Sequence, residues 1–323
     1  MRALALALAL AAAAAGHPAV AQQQVVDPDY RPKVERPAYA GDGPVVVIDE
    51  AHRNFHTADG RYAPFAALLR ADGLTVRPGK VAFDDTSLVG VGLLVIANAG
   101  SAGAEDTSTP AFTEAETAAV ERWVSAGGAL LLIADHAPFG RAAEGLAARF
   151  GVGMGKGWAF TRNARGDGLT SQLEFSRADG ALADHPITRG RDAGERVDRV
   201  KTFTGQSLTG PPGAAALLQL PDPAWEAPNR DRLDAANAAL RSAGKGTPSL
   251  KGIAEPVAGR AQGLALEHGR GRVVVLGEAA MFSAQKVEFE GDRPDMRMGM
   301  NVKGNDNAQL ALNVIHWLTR KLP

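Results

Sequence analysis

Asp135 and His136 are the two residues of this sequence that are best placed to do chemistry. They follow an apolar run, residues 129–134, that is typical of a strand buried on both faces of a parallel sheet. Open α/β sheets bind their ligands outside the carboxyl ends of the strands. A carboxylate and an imidazole at that position would serve as an acid–base pair. Because adjacent residues of an extended chain point to opposite faces, His136 needs an orienting partner from elsewhere, and Glu278 is our candidate.

A second kind of chemistry is suggested by His52 and His56. They are four residues apart, so on a helical turn both imidazoles would face the same side, as in paired metal ligands. With Asp135, they form our predicted site for a divalent metal ion, which would activate a water molecule for hydrolysis. The alternative is that these side chains cap helices and hydrogen-bond the loop backbone, since the spacing matches no zinc-protease motif such as His-Glu-x-x-His. Apart from this metal ion, the sequence does not identify a cofactor.

Other polar residues are expected at the same edge of the sheet, because they follow predicted strands or begin the last helix. Ser101 and Ser283 are candidate nucleophiles, although neither lies in the Gly-x-Ser-x-Gly motif of a nucleophile elbow. The candidate catalytic residues are therefore Asp135, His136, His52 and Glu278. The candidate ligand-binding residues are Glu50, Asn54, Asn98, Ser101, Ser283, Asn305 and Asp306.

Strands and helices that alternate along the chain must position these residues. Short apolar runs at 44–48, 92–97, 129–134 and 272–277 predict buried strands, and the last of them is fed by a hairpin that turns at 268–271. Helices are expected at 62–71, from Thr113, which begins a capping box with Glu116, at 141–150, and near Asn305 at the carboxyl end. This rhythm predicts βαβ units and a mostly parallel α/β sheet.

The amino-terminal residues resemble a secretory signal peptide. Arg2 precedes an apolar core, and Ala19-Val20-Ala21 is a small-residue cleavage site before Gln22. We therefore expect the mature protein in the periplasm or secreted, with no later run long enough to span a membrane. Residues 22–43 contain three prolines and predict an extended linker, and residues 44–320 predict a single domain. Within it, proline-rich residues 205–260 predict an irregular insertion that is partly helical around 233–240.

Composition excludes several classes of function. The chain has no cysteine, which rules out disulfides, thiol catalysis and cysteine zinc sites. Its 35 basic and 36 acidic residues are well mixed and give a net charge of −1. We therefore expect no nucleic-acid partner, and a small polar molecule or a periplasmic protein is the predicted partner.

Several segments together resemble the class I glutamine amidotransferase-like superfamily. They are the opening strand with its polar exit, residues 113–135, the segment Asp184-His185-Pro186, residues 268–278 and the last helix. The resemblance is to its non-amidotransferase branches, namely trehalose-utilisation-like proteins and periplasmic domains of unknown function that accompany gliding-type ABC transporters. It implies a flavodoxin-like, doubly wound sheet with helices on both faces.

The main departure from that superfamily lies at Asp135 and His136, which occupy the turn where amidotransferases carry a cysteine. Without a cysteine, glutamine hydrolysis by a thiolate is impossible. We therefore predict an exported domain that binds a small polar ligand or a protein partner at the carboxyl edge of its sheet. The alternative is a periplasmic hydrolase, metal-dependent or not, that uses Asp135, His136, His52 and Glu278.

Overall fold

A computed structural model describes residues 22–100, 110–289 and 295–323. The helices of these residues are α1 (Ala63–Ala71), α2 (Glu114–Ser125), α3 (Phe139–Ala148), α4 (Pro186–Arg189), α5 (Arg230–Ala243) and α6 (Asn307–Leu318). None of the helices in the described part of the chain is long and apolar enough to cross a membrane.

The strands of these residues are β1 (Gln22–Val26), β2 (Val45–Asp49), β3 (Thr75–Gly79), β4 (Leu93–Ala97), β5 (Ala129–Ile133), β6 (Gly153–Met154), β7 (Trp158–Arg162), β8 (Leu169–Thr170), β9 (Glu174–Ser176), β10 (Arg199–Lys201), β11 (Leu208–Thr209), β12 (Ala215–Gln219), β13 (Trp225–Ala227), β14 (Glu255–Pro256), β15 (Ala261–His268), β16 (Gly271–Leu276), β17 (Ala284–Phe289) and β18 (Met296–Gly299).

A nine-stranded sheet forms the centre of the fold. Its strand order is β3-β2-β4-β5-β16-β15-β11-β6, and β12 pairs with β15 outside this path. The first five strands are parallel to one another, and the remaining pairs are antiparallel. The α/β class and the parallel core that the apolar runs predict are therefore confirmed. The parallel strands also bring their carboxyl ends to one edge of the sheet, where Asn98 follows β4 and Asp135 and His136 follow β5.

Apolar side chains on both faces of the parallel strands explain why the core has two halves. In β5, Leu131 and Ile133 pack into one cluster, which contains Phe65 of α1 and Leu310 of α6. Leu130 and Leu132 of the same strand pack into the other cluster, which contains Val120 of α2 and Leu146 of α3. Each successive residue points to the opposite face of a strand, so helices on both sides bury the whole apolar run.

The prediction of an extended linker at residues 22–43 is wrong for its first part, because residues 22–26 form the paired strand β1. It runs antiparallel to β17 and aligns Gln24 with Val287 in a small sheet completed by β18. Asp27 is buried behind it and accepts hydrogen bonds from Arg297 and Asn301. Tyr39, further along the segment, belongs to the core. The rest of this segment, which contains the three prolines, is therefore irregular but packs on the domain.

The predicted insertion is more regular than its sequence indicates. β11 and β12 extend the central sheet, while β13 and β14 join β7 and β8 in a separate four-stranded sheet. The predicted helix around 233–240 is confirmed as α5, which packs Leu233 and Leu240 against Phe160 of that sheet. The insertion therefore brings its own small apolar cluster to the side of the central sheet.

Candidate functional site

The carboxyl ends of the parallel strands open into a cavity of about 420 Å³. Small-molecule sites usually combine an apolar wall with a few convergent polar groups, and this cavity has both. Its lining residues come from loops that follow the strands, from the segment before α1, from the start of α3, and from the β1-β17-β18 sheet. They are Gln24, Phe55, His56, Arg61, Asn98, Asp135, His136, Pro138, Phe139, Phe203, Thr204, Ala280, Gln285 and Met298.

Asp135 is held in this cavity by backbone donors. Its Oδ1 accepts a hydrogen bond from the backbone N–H of His136 at 2.7 Å, and its Oδ2 lies 3.4 Å from the backbone N of Ala279. Its own backbone N–H donates to Oδ1 of Asn98 at 2.9 Å. Burial raises the pKa of the Asp135 carboxyl, while the hydrogen bonds and His136 act in the opposite direction. This carboxyl therefore keeps its proton to a higher pH than an exposed aspartate does, as a general acid requires.

His136 lines the cavity, and one of its ring nitrogens has no hydrogen-bond partner among the described residues. Its Nδ1 lies 2.7 Å from the carbonyl oxygen of Ala137, which can only accept, so Nδ1 carries the proton. In the neutral ring Nε2 is then an acceptor, and no described residue hydrogen-bonds to it. The imidazole lies flat on Trp158 of β7, with ring centroids 3.6 Å apart and planes at 19°. The prediction that Glu278 orients this ring is therefore wrong, because Ala137 and Trp158 orient it.

Glu278 lies behind the cavity and has a structural role. It is fully buried, and its two oxygens accept hydrogen bonds from the backbone N–H groups of Ala280 (2.7 Å) and Met281 (2.8 Å). These bonds hold the 3-10 turn Ala280–Phe282. Burial and the nearby charge of Asp135 raise the pKa of Glu278 well above its usual value. Glu278 therefore holds this turn and is not among the residues that line the cavity.

His52 is part of a buried ion-pair cluster and is not available as a metal ligand or a base. Its Nδ1 lies 2.9 Å from both carboxylate oxygens of Asp49, and its Nε2 lies 2.8 Å from Oε1 of Glu116. Burial lowers the pKa of His52, but hydrogen bonds to and charges on the two carboxylates outweigh burial and raise it. Asn54 also donates to Asp49, at 3.0 Å. The predicted roles of His52 in catalysis and of Asn54 in ligand binding therefore do not fit this geometry.

His56 does line the cavity, but as a neutral acceptor. It is buried, and its Nδ1 accepts a hydrogen bond of 3.2 Å from Nδ2 of Asn98. Burial and the charge of Arg61 lower its pKa to about 3. Both nitrogens of His52 are occupied, so the predicted metal set of His52, His56 and Asp135 is not assembled. Among residues 22–100, 110–289 and 295–323, no three His, Asp or Glu side chains are arranged to hold a metal ion.

The remaining predicted ligand-binding residues serve the backbone. Glu50 accepts from the N–H of Ala58, and Ser283 donates to the carbonyl of Ala280. Asn305 and Asp306 satisfy backbone groups around the start of α6, where Asp306 accepts from the N–H groups of residues 198 and 199. Ser101 lies outside the described residues. Of the predicted ligand set, Asn98 is therefore the member that the structure places in the cavity.

Sequence reasoning missed Arg61, Trp158 and Asp49. Asp49 had a usable signal, because it is the last residue of the first buried strand and precedes Glu50, which we chose instead. Arg61 precedes the predicted helix by one residue, where nothing in the pattern marks a cavity. Trp158, at the start of β7, contacts His136 through tertiary packing, which no local spacing reveals.

Comparisons with known proteins bear on the fold. No protein-family model matches the chain, and no curated protein matches it. Among solved structures, the amino-terminal domain of mmIFT52 aligns over 85% of this chain and 97% of its own length, at 14% identity and a TM-score of 0.54.

Putative ThuA-like proteins are also among the structural neighbours. Those from Bacteroides uniformis and Parabacteroides merdae align over 87% and 86% of this chain and over 94% and 90% of their own. Their identities are 13% and 12%, and their TM-scores are 0.43 and 0.44. The mmIFT52 domain, with a TM-score above 0.5 at 14% identity, shows the fold alone.

Proposed function

We propose that this protein binds a small polar ligand in the cavity at the carboxyl edge of its sheet. The observation that carries the proposal is the free Nε2 of His136, which shares one cavity with the buried carboxyl of Asp135. Asn98 and His56 extend this polar wall, and Phe55 and Phe139 provide an apolar wall. A buried polar wall that faces an open cavity is unfavourable unless a ligand or water satisfies it.

The strand order of the sheet supports a ligand site at the same edge. The parallel strands run in the order β3-β2-β4-β5-β16, and sequential numbering of these five gives 2-1-3-4-5, the order of flavodoxin-like sheets. We interpret the fold as a doubly wound member of the amidotransferase-like group that lacks the nucleophile. A ligand at the carboxyl edge is the usual consequence of this topology.

A ligand screen with cavity variants tests the proposal. Differential scanning fluorimetry of the full chain against small acids, sugars and amides is expected to identify compounds that raise the melting temperature. Asp135→Asn and His136→Ala should abolish those shifts, whereas His268→Ala, on the half-exposed turn of the β15-β16 hairpin, should preserve them. Equal shifts in all variants would show binding elsewhere and would contradict the proposal.

Hydrolysis is the second candidate, and the Asp135–His136 pair favours it. Nε2 of His136 would take a proton from an attacking water as general base, and Asp135, with its raised pKa, would donate one to the leaving group. The test is turnover of p-nitrophenyl esters and glycosides, with His136→Ala and His268→Ala compared. Turnover that persists in His136→Ala would exclude this mechanism.

Export of the chain is also a proposal. It is supported by the signal-like residues 1–21, which lie outside the described residues, and it would put the cavity in contact with periplasmic solutes or a periplasmic protein partner. Amino-terminal sequencing of protein recovered from a periplasmic extract would test it, with Gln22 as the expected first residue.

A further inference from the structure

Arg61 is a partly buried cation at the wall of the cavity. It precedes α1, and one of its terminal nitrogens, Nη1, donates to Oε1 of Gln285 at 2.7 Å. Its guanidinium lies over the ring of Phe55, 4.3 Å from the ring centroid. These two contacts fix the plane of the guanidinium while leaving Nε and Nη2 without a hydrogen-bond partner among the described residues.

No carboxylate of the described residues lies within ion-pair distance of Arg61. Burial lowers the pKa of this guanidinium, since the charged form is less favourable away from water. Two other lining residues, Gln285 and His56, offer it no negative charge: Gln285 is an amide, and burial holds the pKa of His56 at about 3. A partly desolvated cation without a counter-ion is unfavourable, and an anion from outside the chain would remove that cost.

The position of Asp135 also favours an anion from outside the chain as the partner of Arg61, although Asp135 carries a carboxyl group itself. An ion pair between Arg61 and Asp135 would neutralise both charges within the cavity. The two side chains are not within ion-pair distance. Asp135 instead turns its oxygens toward the backbone of His136 and Ala279. The cavity wall thus has unpaired guanidinium donors at Arg61 and hydrogen-bond acceptors at Asp135 and Nε2 of His136.

We infer that the ligand is a small organic carboxylate that also carries a hydrogen-bond donor such as a hydroxyl group. The carboxylate binds the two free donors of Arg61 in the bidentate geometry that a guanidinium favours. The hydroxyl group donates to Nε2 of His136 or to Asp135. This inference rests on the proposed function, because it assigns a ligand class to the same cavity.

Matched pairs of acids and neutral analogues test the inference. The probes are glucuronate with glucose, glycolate with glycolamide, and acetate with acetamide, each titrated calorimetrically into the full chain. We expect the hydroxy acids to bind more tightly than acetate, and every acid to bind more tightly than its neutral analogue. Arg61→Gln should weaken the best acid roughly 10- to 100-fold, the range for a hydrogen bond to a charged group.

Two further variants distinguish an effect of the Arg61 charge on binding from an effect on folding. Arg61→Lys keeps the charge but not the planar pair of donors, so it should bind the acid with an intermediate affinity. Arg232→Gln, at an exposed arginine of α5, should leave every affinity unchanged. Melting temperatures of all three variants show whether a loss of binding comes from loss of structure.

The outcomes distinguish this inference from the proposed function. If glucose or glycolamide binds as well as its acid and His136→Ala weakens both, the anion inference is wrong while the ligand site stands. If the acids bind and Arg61→Gln binds them equally well, the inference is wrong in the same way. If no probe binds, or binding is unaffected by Asp135→Asn and His136→Ala, the inference and the proposed ligand site both fail.

Discussion

The imidazole of His136 stacks on the indole of Trp158, with ring centroids 3.6 Å apart and an interplanar angle of 19°. Trp158 begins β7, and its other neighbour is Arg230 of α5, whose guanidinium carbon lies 5.7 Å from the ring centroid. The backbone next to it, Gly157, accepts a hydrogen bond from the N–H of Ala137. The four-stranded sheet beside the central sheet thus fixes the orientation of a residue at the carboxyl edge.

Trp158→Ala is expected to release the His136 ring. The loss of an aromatic stack costs about 1 kcal/mol, and the free imidazole samples several rotamers, so binding of any cavity ligand should weaken. The His136 ring signals in a ¹H–¹³C NMR spectrum should shift and broaden, while those of His268 stay in place. Trp158→Phe should retain most of both properties. Unchanged His136 signals in Trp158→Ala would show that the stack does not orient the ring.

His52→Gln is expected to destabilise the protein by about 3 kcal/mol, because it leaves Asp49 and Glu116 buried without their cation. The pKa of His52 is raised above its ordinary 6.5, so its contribution is complete below that pH and is lost as pH rises through the raised value. The pKa of Glu116 is lowered from 4.5 to about 2, so its contribution is complete above pH 4.5 and is lost as pH falls toward 2. The difference from wild type should therefore be largest between pH 4.5 and 6.5.

Urea denaturation at several pH values measures this difference. His268→Gln is the matched control, because its ring is half-exposed and its only described acidic neighbour is Glu121, at 3.7 Å. It should change the free energy of unfolding little at any pH. A His52→Gln effect that is the same at pH 3, 5.5 and 9 would argue against a charged cluster and for simple loss of packing against Phe83 and Phe112.

The strands and helices around the site could be predicted from the sequence because their signals are local. The apolar run of β5, the capping box of Thr113 and Glu116, and the turn between β15 and β16 all appear as expected. Asp135 and His136 also lie where a strand exit in a parallel sheet places them. These features depend on residues a few positions apart, so the pattern contains them.

Partners that are distant in the sequence could not be predicted in the same way. The spacing of His52 and His56 is compatible with a metal site, but Glu116, 64 residues away, occupies one nitrogen of His52 and rules that arrangement out. Trp158 and Arg61 come to the cavity through tertiary packing alone. Sequence reasoning therefore located the edge of the sheet that carries the candidate cavity and misassigned several of the side chains that line it.

Glu278→Gln is expected to flatten the pH dependence of stability above pH 4.5. In the unfolded chain this carboxyl loses its proton near pH 4.5, whereas burial and Asp135 hold its folded pKa well above that value. The contribution of this carboxyl to stability therefore falls as pH rises above 4.5, and the glutamine variant, which cannot titrate, avoids that loss. The variant should be less stable than wild type at pH 4, by about 1–3 kcal/mol for a mismatched backbone hydrogen bond, and should gain on wild type as pH rises.

Thermal or urea unfolding from pH 4 to pH 8 measures the Glu278 effect. Glu255→Gln, at an exposed glutamate, is the control and should follow the wild-type curve. If the gap between Glu278→Gln and wild type stays constant over this range, the Glu278 carboxyl does not change protonation between the folded and unfolded states.

Two substitutions of Asn98 test whether its backbone conformation or its hydrogen bonds organise the cavity wall. It has a φ of +50°, in the left-handed region that asparagine tolerates better than most residues, and its side chain joins Asp135 to His56. Asn98→Gly keeps the backbone conformation and loses both hydrogen bonds, whereas Asn98→Ala loses the bonds and adds left-handed strain of about 1–2 kcal/mol. We expect both variants to weaken ligand binding equally and the alanine variant to be less stable by that amount in urea denaturation. Equal stability of the two variants would show that the backbone relaxes at no cost, and normal ligand binding by both would show that Asn98 does not hold Asp135 in place.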